Sequence, residues 1–473
     1  MSKSELSFQI KGVRLLEEET MSTEVILSYL DKINGVLWGP VMLIFLLGTG
    51  VLFTFKLRFL QVTKLGLAFK QIFKAEDTEE DAEGMSPFQS LSTAIAAQVG
   101  TGNLAGVATA IAVGGPGSIF WMWISGFFGM GTIFGEAVLA QIFKEEHDGE
   151  LTGGPAYYIR NGLKNKYLAG FFAVSIILAL GIMGNMVQSN SIAAAVKNVL
   201  PIPSLAIGIV IAALACIVLV GGVSRIGSFT EKVVPFMAAF YILGGLIIVI
   251  INIEQLLPAL KMIVFGAIDP QAATGGFIGA TVKETVRYGI ARGLFSNEAG
   301  MGSTPHAHAV AKVKHPAQQG MVSLLGVIVD TGVVCTITAL VILTTGAFET
   351  GLTGAELTQE GFRLGFSFLG DFGNSFIAIC LFFFAFSTII GWYFFGEQNI
   401  KYLFGHSGIK YYRVLVLIGI AVGPLLDVEL VWSLADSFNA LMVVPNLIAL
   451  VGLTGLVVKC LNDFIEKIEN NEL

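Results

Sequence analysis

Charge is scarce in this chain. Asp, Glu, Lys and Arg make up 13% of its 473 residues, against about 25% in an average soluble domain. Cysteine is scarce too. Cys216, Cys335, Cys380 and Cys460 fall in or beside apolar runs, without metal-type spacing. That distribution argues against a disulfide framework or a zinc site and leaves four small core residues. Histidine numbers five, none inside an apolar run, and no serine motif accompanies them. An intramembrane enzyme needs a nucleophile–base pair or metal ligands within its spans, so the chain reads as no enzyme. A cleavable leader is missing as well: the first 34 residues are polar and mixed in charge, and the first apolar run begins near Val36. That run therefore reads as a true span. The net charge of −7 says little about partners, because the placement of charges matters more than their sum.

What remains is apolar. Hydrophobic residues are 54% of the chain, with 36 Phe and 56 Gly, and both glycine and interfacial aromatics are common in membrane helices. Apolar runs of about 20 residues, enough to cross a bilayer, recur along the whole length. One large soluble core is thereby excluded, and an all-α polytopic membrane protein is expected. Eleven spans are predicted, at about 36–56, 88–112, 118–143, 168–196, 204–222, 230–252, 275–301, 320–346, 372–396, 411–428 and 433–458. The connections on one side carry 18 Lys and Arg and those on the other carry 7. Lys283, Arg287 and Arg292 lie within the seventh span and are left unassigned. The positive-inside rule then puts the N-terminus outside and the C-terminus inside. Residues 253–272 are too broken to span and read as a short external or interfacial helix. Residues 347–371 read as a second external connection, and the acidic run 76–83 as a solvated cytoplasmic loop.

Two segments break the pattern. Gln98-Val99-Gly100-Thr101-Gly102-Asn103 interrupts the second span at mid-membrane. Backbone that unwinds in hydrocarbon is tolerated only where protein or an aqueous cavity covers it, so a break there marks a place where backbone groups bind something. Leu294-Phe295-Ser296-Asn297-Glu298-Ala299-Gly300 repeats the signal in the seventh span, about 195 residues later. Glycine alone has a plainer use, close helix packing. Here, however, each break opens a block of five spans, 2–6 and 7–11, and an odd number inserts the blocks with opposite orientation. That is the signature of an inverted repeat with discontinuous helices. The expected organisation is an extracytoplasmic N-terminal segment (1–35), an extra N-terminal helix and cytoplasmic loop (36–86), a first five-helix repeat (87–252), an external connection (253–274), a second repeat (275–458) and a cytoplasmic tail (459–473).

Several longer strings carry a resemblance. GTGNLAGVATAIAVGGPGSIFWMW (100–123), LTGGPAYYIRNGL (151–163), RGLFSNEAGMGSTPHAHA (292–309) and HPAQQG (315–320) resemble the alanine or glycine:cation symporter family. That family belongs to the five-plus-five inverted-repeat superfamily typified by the bacterial leucine transporter LeuT, with one extra N-terminal helix. The resemblance implies sodium-coupled uptake of alanine or glycine across the cytoplasmic membrane of a prokaryote by alternating access. Sodium is the coupling ion and no organic cofactor is expected. The partners are the amino acid, the ion and the lipid bilayer, with no nucleic acid.

A zwitterionic amino acid needs a partner for each end. At the first break, a half-helix beginning after Gly102 offers free amides and a positive dipole end. The backbone of Thr101 and Gly102 is assigned to the carboxylate, with Gly100 and Gly102 permitting close approach. The ammonium is assigned to the carbonyls of Phe295 and Ser296 and the side chain of Asn297, with Gln98 and Gln188 in support and Gly300 completing the second break. Asn185 lies three residues before Gln188 on the same helical face. For sodium, the resemblance implies the carbonyls of Ala96, Val99 and Phe384 and the hydroxyls of Ser387 and Thr388. A Ser-Thr pair in a membrane helix also commonly bonds its own i−4 carbonyl, and Thr388 has substrate contact as an alternative. Trp392, one turn beyond Thr388, reads as a pocket wall that limits substrate size, with interfacial anchoring as its other use. Asn103 matches a residue of a second sodium site in LeuT, but Gln98 stands where LeuT has a small residue. One sodium per amino acid is therefore expected.

Glu136, Glu298 and Asp330 fall within or near spans, where acids are costly unless paired or hydrated. Asp330 reads as structural, with pairing to Arg292 or proton coupling as alternatives. His306, His308 and His315 fall in a predicted cytoplasmic loop, too loosely spaced for a metal site. A channel reading is disfavoured, since channels typically place symmetry-related pore loops in different subunits. The main alternative is a proton-coupled carrier of another small neutral amino acid.

Overall fold

The computed structural model describes residues 24–72, 84–147, 149–197, 200–269, 281–370 and 372–472. The acidic run 76–83 and the first residues of the expected seventh span lie outside these. Among the described residues the only sheet is a two-stranded hairpin, β1 (Glu145–His147) and β2 (Glu150–Thr152), with Glu145 opposite Thr152. All else is helix and short connection. In chain order the main helices are α1 (Pro40–Lys56), α2 (Pro87–Gln98), α3 (Val107–Gly114), α4 (Ser118–Ile142), α5 (Pro155–Asn161), α6 (Lys166–Ile176), α7 (Asn185–Lys197), α8 (Ser204–Leu219) and α9 (Gly222–Ile251). They continue with α10 (Ile253–Gly266), α11 (Val282–Asn297), α12 (Pro305–Ala309), α13 (Pro316–Val327), α14 (Thr336–Thr344), α15 (Gly354–Gly365), α16 (Phe372–Phe404), α17 (Ile409–Val422) and α18 (Val428–Glu469). Three π-helical stretches, Gly102–Gly106, Ile177–Gly184 and Ile328–Cys335, run directly into α3, α7 and α14. Wider turns of this kind loosen the hydrogen-bond ladder and concentrate at functional sites.

Among the described residues, eight helices are long and apolar enough to cross a bilayer, and α2 with the helix after it forms a ninth, bent by 51°. α8 is apolar but only 16 residues long, and α11 carries Lys283, Glu284, Arg287 and Arg292, so neither passes on length and composition. The expected interfacial segment 253–272 is the helix α10 where it is described. Three limits move. Helix is already present at residue 24 and passes a turn at Trp38–Gly39 before α1. It is tied to α18 by Asn34 Nδ2 donating to the Ser433 carbonyl (2.9 Å) and Trp38 Nε1 to that of Asp436 (2.9 Å). α9 starts at Gly222, so the connection expected before 232 is helical. α18 runs unbroken to Glu469, through most of the expected tail.

The two broken helices start alike. Ser86 and Gln89 form a capping box at α2, and Thr281 and Glu284 form one at α11, each satisfying two amides that the first turn leaves bare. α11 and α13 lie along α4. Glycine sets how close they come: a Cβ at Gly289 would collide with the Ser118 carbonyl, and one at Gly293 with the Ser125 hydroxyl. At the far end of α16, Thr152 donates to Gln398 (2.7 Å), Lys401 pairs with Glu150 (2.5 Å), and the Arg160 guanidinium lies over Tyr157 and Tyr402. The hairpin and α5 are thereby fastened to α16. We expect Gly289→Val to force α11 off α4 and cost about 1–3 kcal/mol, as overpacking of a tight interface does. A fall in the thermal midpoint of the detergent-solubilised protein measures it.

Candidate functional site

α2 ends because Val99 turns to φ −83°, ψ 90°. The Gly100 amide, which would bond the Ala96 carbonyl in a continuing helix, instead donates to Asn103 Oδ1 (2.9 Å). Ala96 therefore loses its intrahelical partner. The Thr388 hydroxyl fills the gap. Its oxygen lies 3.0 Å from the Ala96 carbonyl, 3.5 Å from that of Val99 and 2.9 Å from that of Phe384. A hydroxyl has one proton, so three carbonyl oxygens converge on a single donor. Gly100 makes the approach possible: a Cβ there would sit 2.5 Å from Thr388 Oγ1. The helix restarting at Thr101 has no side-chain cap on its Gly102 turn. Gln188 Nε2 donates to Thr101 Oγ1 (3.1 Å), while Gln188 Oε1 and Asn185 Oδ1 are buried acceptors with no donor among the described residues.

The second break is satisfied differently. Glu298, Gly300 and Gly302 all have positive φ, 58°, 87° and 83°, which glycine adopts readily and glutamate only when its surroundings fix it. The Gly300 and Gly302 amides donate to the two carboxylate oxygens of Glu136 on α4, at 3.0 and 2.9 Å. Asn446 Nδ2 donates to Glu136 (2.7 Å) and to the Gly300 carbonyl (2.9 Å), and Tyr158 holds Asn446 in turn. A resident carboxylate thus occupies the amides of this break. Asp330, fully buried, accepts from Asn103 (2.5 Å), Ser296 (2.9 Å) and Thr331 (2.7 Å).

The structure brings most of the expected site residues together. Gln98 Nε2 donates to the Asn297 carbonyl (2.6 Å), bridging the breaks. A Cβ on Gly102 would lie 3.5 Å from the Phe295 ring and 3.6 Å from Ser296 Cα. Phe295 itself faces Trp432, with ring centroids 6.0 Å apart. Other residues are placed less simply. Ser387 bonds the Phe384 carbonyl (2.9 Å) and Met237 Sδ (3.3 Å), which turns it toward α9. The Ser296 hydroxyl is engaged by Asp330, and the Asn297 side chain by Thr331 and the Ala299 amide. Gln98 has its other end against Gly326, and Gly300 is taken by Glu136 and Asn446. Trp392 donates its indole N–H to Glu298 Oε1 (2.7 Å).

Two readings from sequence are corrected. Asp330 does not pair with Arg292: its partners are neutral donors on three elements. His306 and His308 are not in an open loop but buried on α12, where His306 lies between the Ser303 carbonyl (2.6 Å) and Asn399 (2.8 Å). Among the described residues no cluster of His, Cys, Asp and Glu is arranged for a metal. The sequence also gave no sign that Glu136, Asn446 and Thr358, which donates to the Leu104 carbonyl (3.0 Å), complete the breaks. Each acts across more than a hundred residues. An acid or amide inside an apolar run is the one available signal, and it held for Glu136.

Two backbone breaks meeting in a helical bundle is a transporter-like arrangement, and comparison with known proteins decides the family. The profile of the sodium:alanine symporter family matches residues 23–473. The chain belongs to the sodium:alanine symporter family. It is a membrane transporter of the sodium symport, amino-acid transport kind, not an enzyme. The sodium/alanine symporter AgcS of Methanococcus maripaludis is 44% identical over 455 residues, covering 94% of this chain and 98% of that protein. The "Probable sodium/glutamine symporter GlnT" of Bacillus subtilis is 41% identical over 433 residues, covering 91% and 89%. A mutant of the manganese transporter of Eremococcus coleocola has a similar structure, with a TM-score of 0.53 at 14% identity over 76% of this chain and 78% of that one. At that identity the likeness is one of fold. We expect this symporter to lose stability on Glu136→Ala, because two buried amides and Asn446 lose their acceptor at about 1–3 kcal/mol per orphaned group. Thermal unfolding in detergent reads the loss, and Glu136→Gln recovers part of it.

Proposed function

We propose that the protein is a sodium-coupled symporter that imports alanine or glycine across the cytoplasmic membrane by alternating access. In this reading it has eleven spans in a LeuT-like inverted repeat with one extra N-terminal helix, its N-terminus outside and its C-terminus inside. α2 with α3 and α11 with α12 are the two discontinuous helices, and α8 and α11 are the short and the polar spans that complete the count. The matched capping boxes at α2 and α11 support the repeat, and the excess of Lys and Arg on one set of connections supports the orientation.

The observation that carries the proposal is the convergence of the Thr388 hydroxyl on the carbonyls of Ala96, Val99 and Phe384. Four oxygens with one proton between them suit a small hard cation better than they suit each other. Ser387 joins this shell by turning from Met237. The substrate carboxylate is assigned to the amides at Thr101 and Gly102. The contrast between the breaks supports it: in the second, a carboxylate from Glu136 already sits on the amides, whereas the restarting first helix has no acidic cap. The ammonium faces the Phe295 and Ser296 carbonyls, with Gln188, whose Nε2 donates to Thr101, in support from the side of the first break. Asn297 and Gln98 hold the two breaks against each other, and Trp392 walls the pocket. The name of the relative AgcS agrees with alanine as substrate, and that of GlnT indicates how side-chain size varies within the family.

Ion and carboxylate then share one unwound stretch. Occupancy by either orders the backbone that binds the other, so each raises the affinity of the other by the same factor. Asp330 favours a second reading, a proton-coupled carrier: it is fully buried, has no cationic partner among the described residues and touches both breaks.

Uptake of labelled alanine and glycine into proteoliposomes tests both readings. An inward sodium gradient drives accumulation, and replacement by choline abolishes it. Thr388→Ala raises the sodium concentration for half-maximal uptake roughly 10-fold or more, the equivalent of about 1.5 kcal/mol for one contact to a charge. Accumulation that persists in choline, is driven by a pH gradient and is lost in Asp330→Asn would overturn sodium coupling in favour of the proton.

A further inference from the structure

We infer that Glu298 is a positioning residue that fixes the Trp392 indole and thereby sets the largest amino-acid side chain the transporter admits. The inference rests on the reading of Trp392 as a pocket wall.

Trp392 lies one turn beyond Thr388 on α16, on the same face, and is 5% exposed. Its indole is held at both edges. The N–H donates to Glu298 Oε1 at 2.7 Å. The six-membered ring lies against Gly184, where a Cβ would sit 2.6 Å from the ring. Gly184 closes the π-helical turn that leads into Asn185 and Gln188, and Gln188 reaches Thr101 in the first break. The indole therefore lies between the helix that touches the first break and the carboxylate of the second.

Glu298 is itself fixed. Its backbone is in the left-handed region at φ 58°, and its second oxygen accepts from the Ser303 hydroxyl at 2.5 Å. Its side chain is 2% exposed, and among the described residues no Lys or Arg forms an ion pair with it. A buried carboxylate is costly to keep without a cation, and an apolar residue would pack here without that cost. What the carboxylate adds is a directed acceptor for the indole N–H. The docking of α16 on this break does not depend on it, because His306 and Asn399 make a separate contact two turns further along α16. Loss of the Glu298 acceptor therefore frees the indole while the helix stays in place. A freed indole swings out of the plane that Gly184 and Glu298 define and enlarges the pocket.

The test measures kcat/KM for glycine, alanine and glutamine in proteoliposomes of wild type, Glu298→Ala, Glu298→Gln, Trp392→Phe, Trp392→Ala and the Glu298→Ala/Trp392→Phe double variant. Glu298→Ala and Trp392→Phe each remove the hydrogen bond. Each is expected to lower the alanine-to-glutamine ratio about 10-fold, the scale of one methylene in an apolar pocket. The double variant goes no further than either alone. Glu298→Gln, which keeps an acceptor for the indole and a donor for Ser303, restores the ratio. A merely structural role lowers all three substrates together and leaves the ratio intact, which overturns the inference. If Glu298→Ala fails to fold, Trp392→Phe and Glu298→Gln still decide. A ratio altered by Trp392→Ala but not by Glu298→Ala or Trp392→Phe refutes the positioning role alone, whereas a ratio indifferent to Trp392→Ala refutes the pocket-wall reading beneath it.

Discussion

A helix that stops inside hydrocarbon strands backbone donors and acceptors, and the need to find them partners governs the rest of this structure. Water is not available to satisfy them, and each unsatisfied group costs several kcal/mol. The two breaks meet the requirement by opposite means. Around the second, polar side chains from α4, the π-helical turn at 328–335 and α18 reach in until amides and carbonyls are engaged. Around the first, Asn103 takes one amide and Thr388 bridges the carbonyls, while the restarting helix keeps its leading end uncapped. One break is thus closed by side chains of the protein itself, and the other keeps a leading end without a side-chain cap.

The same requirement explains three buried acids that, among the described residues, have no basic partner. Glu136, Glu298 and Asp330 all contact the stretch 296–303, and neutral donors supply every hydrogen bond they receive. Neutral donors can support a buried carboxylate without locking it into an ion pair. The breaks are also joined to each other. Gln98 reaches the Asn297 carbonyl, and Asn103 and Ser296 share one oxygen of Asp330. A displacement of the first break therefore has to be accommodated at the second, and differential binding to the two arrangements is what allosteric coupling requires.

Much of this was legible in the sequence, and what was not has a physical reason. Gly100, Gly102, Gly300 and the neighbouring Asn and Ser stand out because a hydrophobic helix has no use for such a cluster at its centre. The Ser387–Thr388 pair stood out by resemblance, but only geometry separates the two hydroxyls: Thr388 turns to the break and Ser387 to Met237. Glu136 stands out in the sequence as an acid inside an apolar run, but its pairing with Asn446 does not, since the two lie 310 residues apart and meet only through packing. Residues 347–371 read as an external connection. This connection contains a helix buried on one face, whose Thr358 reaches the Leu104 carbonyl. Polar residues continue a helix beyond the apolar run that marks an expected span, as α18 does to Glu469 and as the helix before α1 does back to residue 24. Hydropathy marks where lipid ends, whereas the backbone ladder has no reason to stop there.

α16 connects these features. Phe384, Thr388 and Trp392 recur every fourth residue and share one face. Thr388 serves the first break, Trp392 the second, and Asn399 the segment beyond it. An unkinked α-helix rises 1.5 Å per residue, so Thr388 and Trp392 are held about 6 Å apart along its axis. That spacing cannot stretch without breaking the helix. A movement that separates the breaks by more than side chains can absorb must release α16 from one of them. The ordered alternatives are then few: both contacts made, or one of the two. In the proposed reading, where the first break binds ion and substrate, occupancy there biases the choice between those states. Packed interfaces switch between discrete arrangements rather than deforming continuously, and a rigid helix that touches both breaks is an element able to do so.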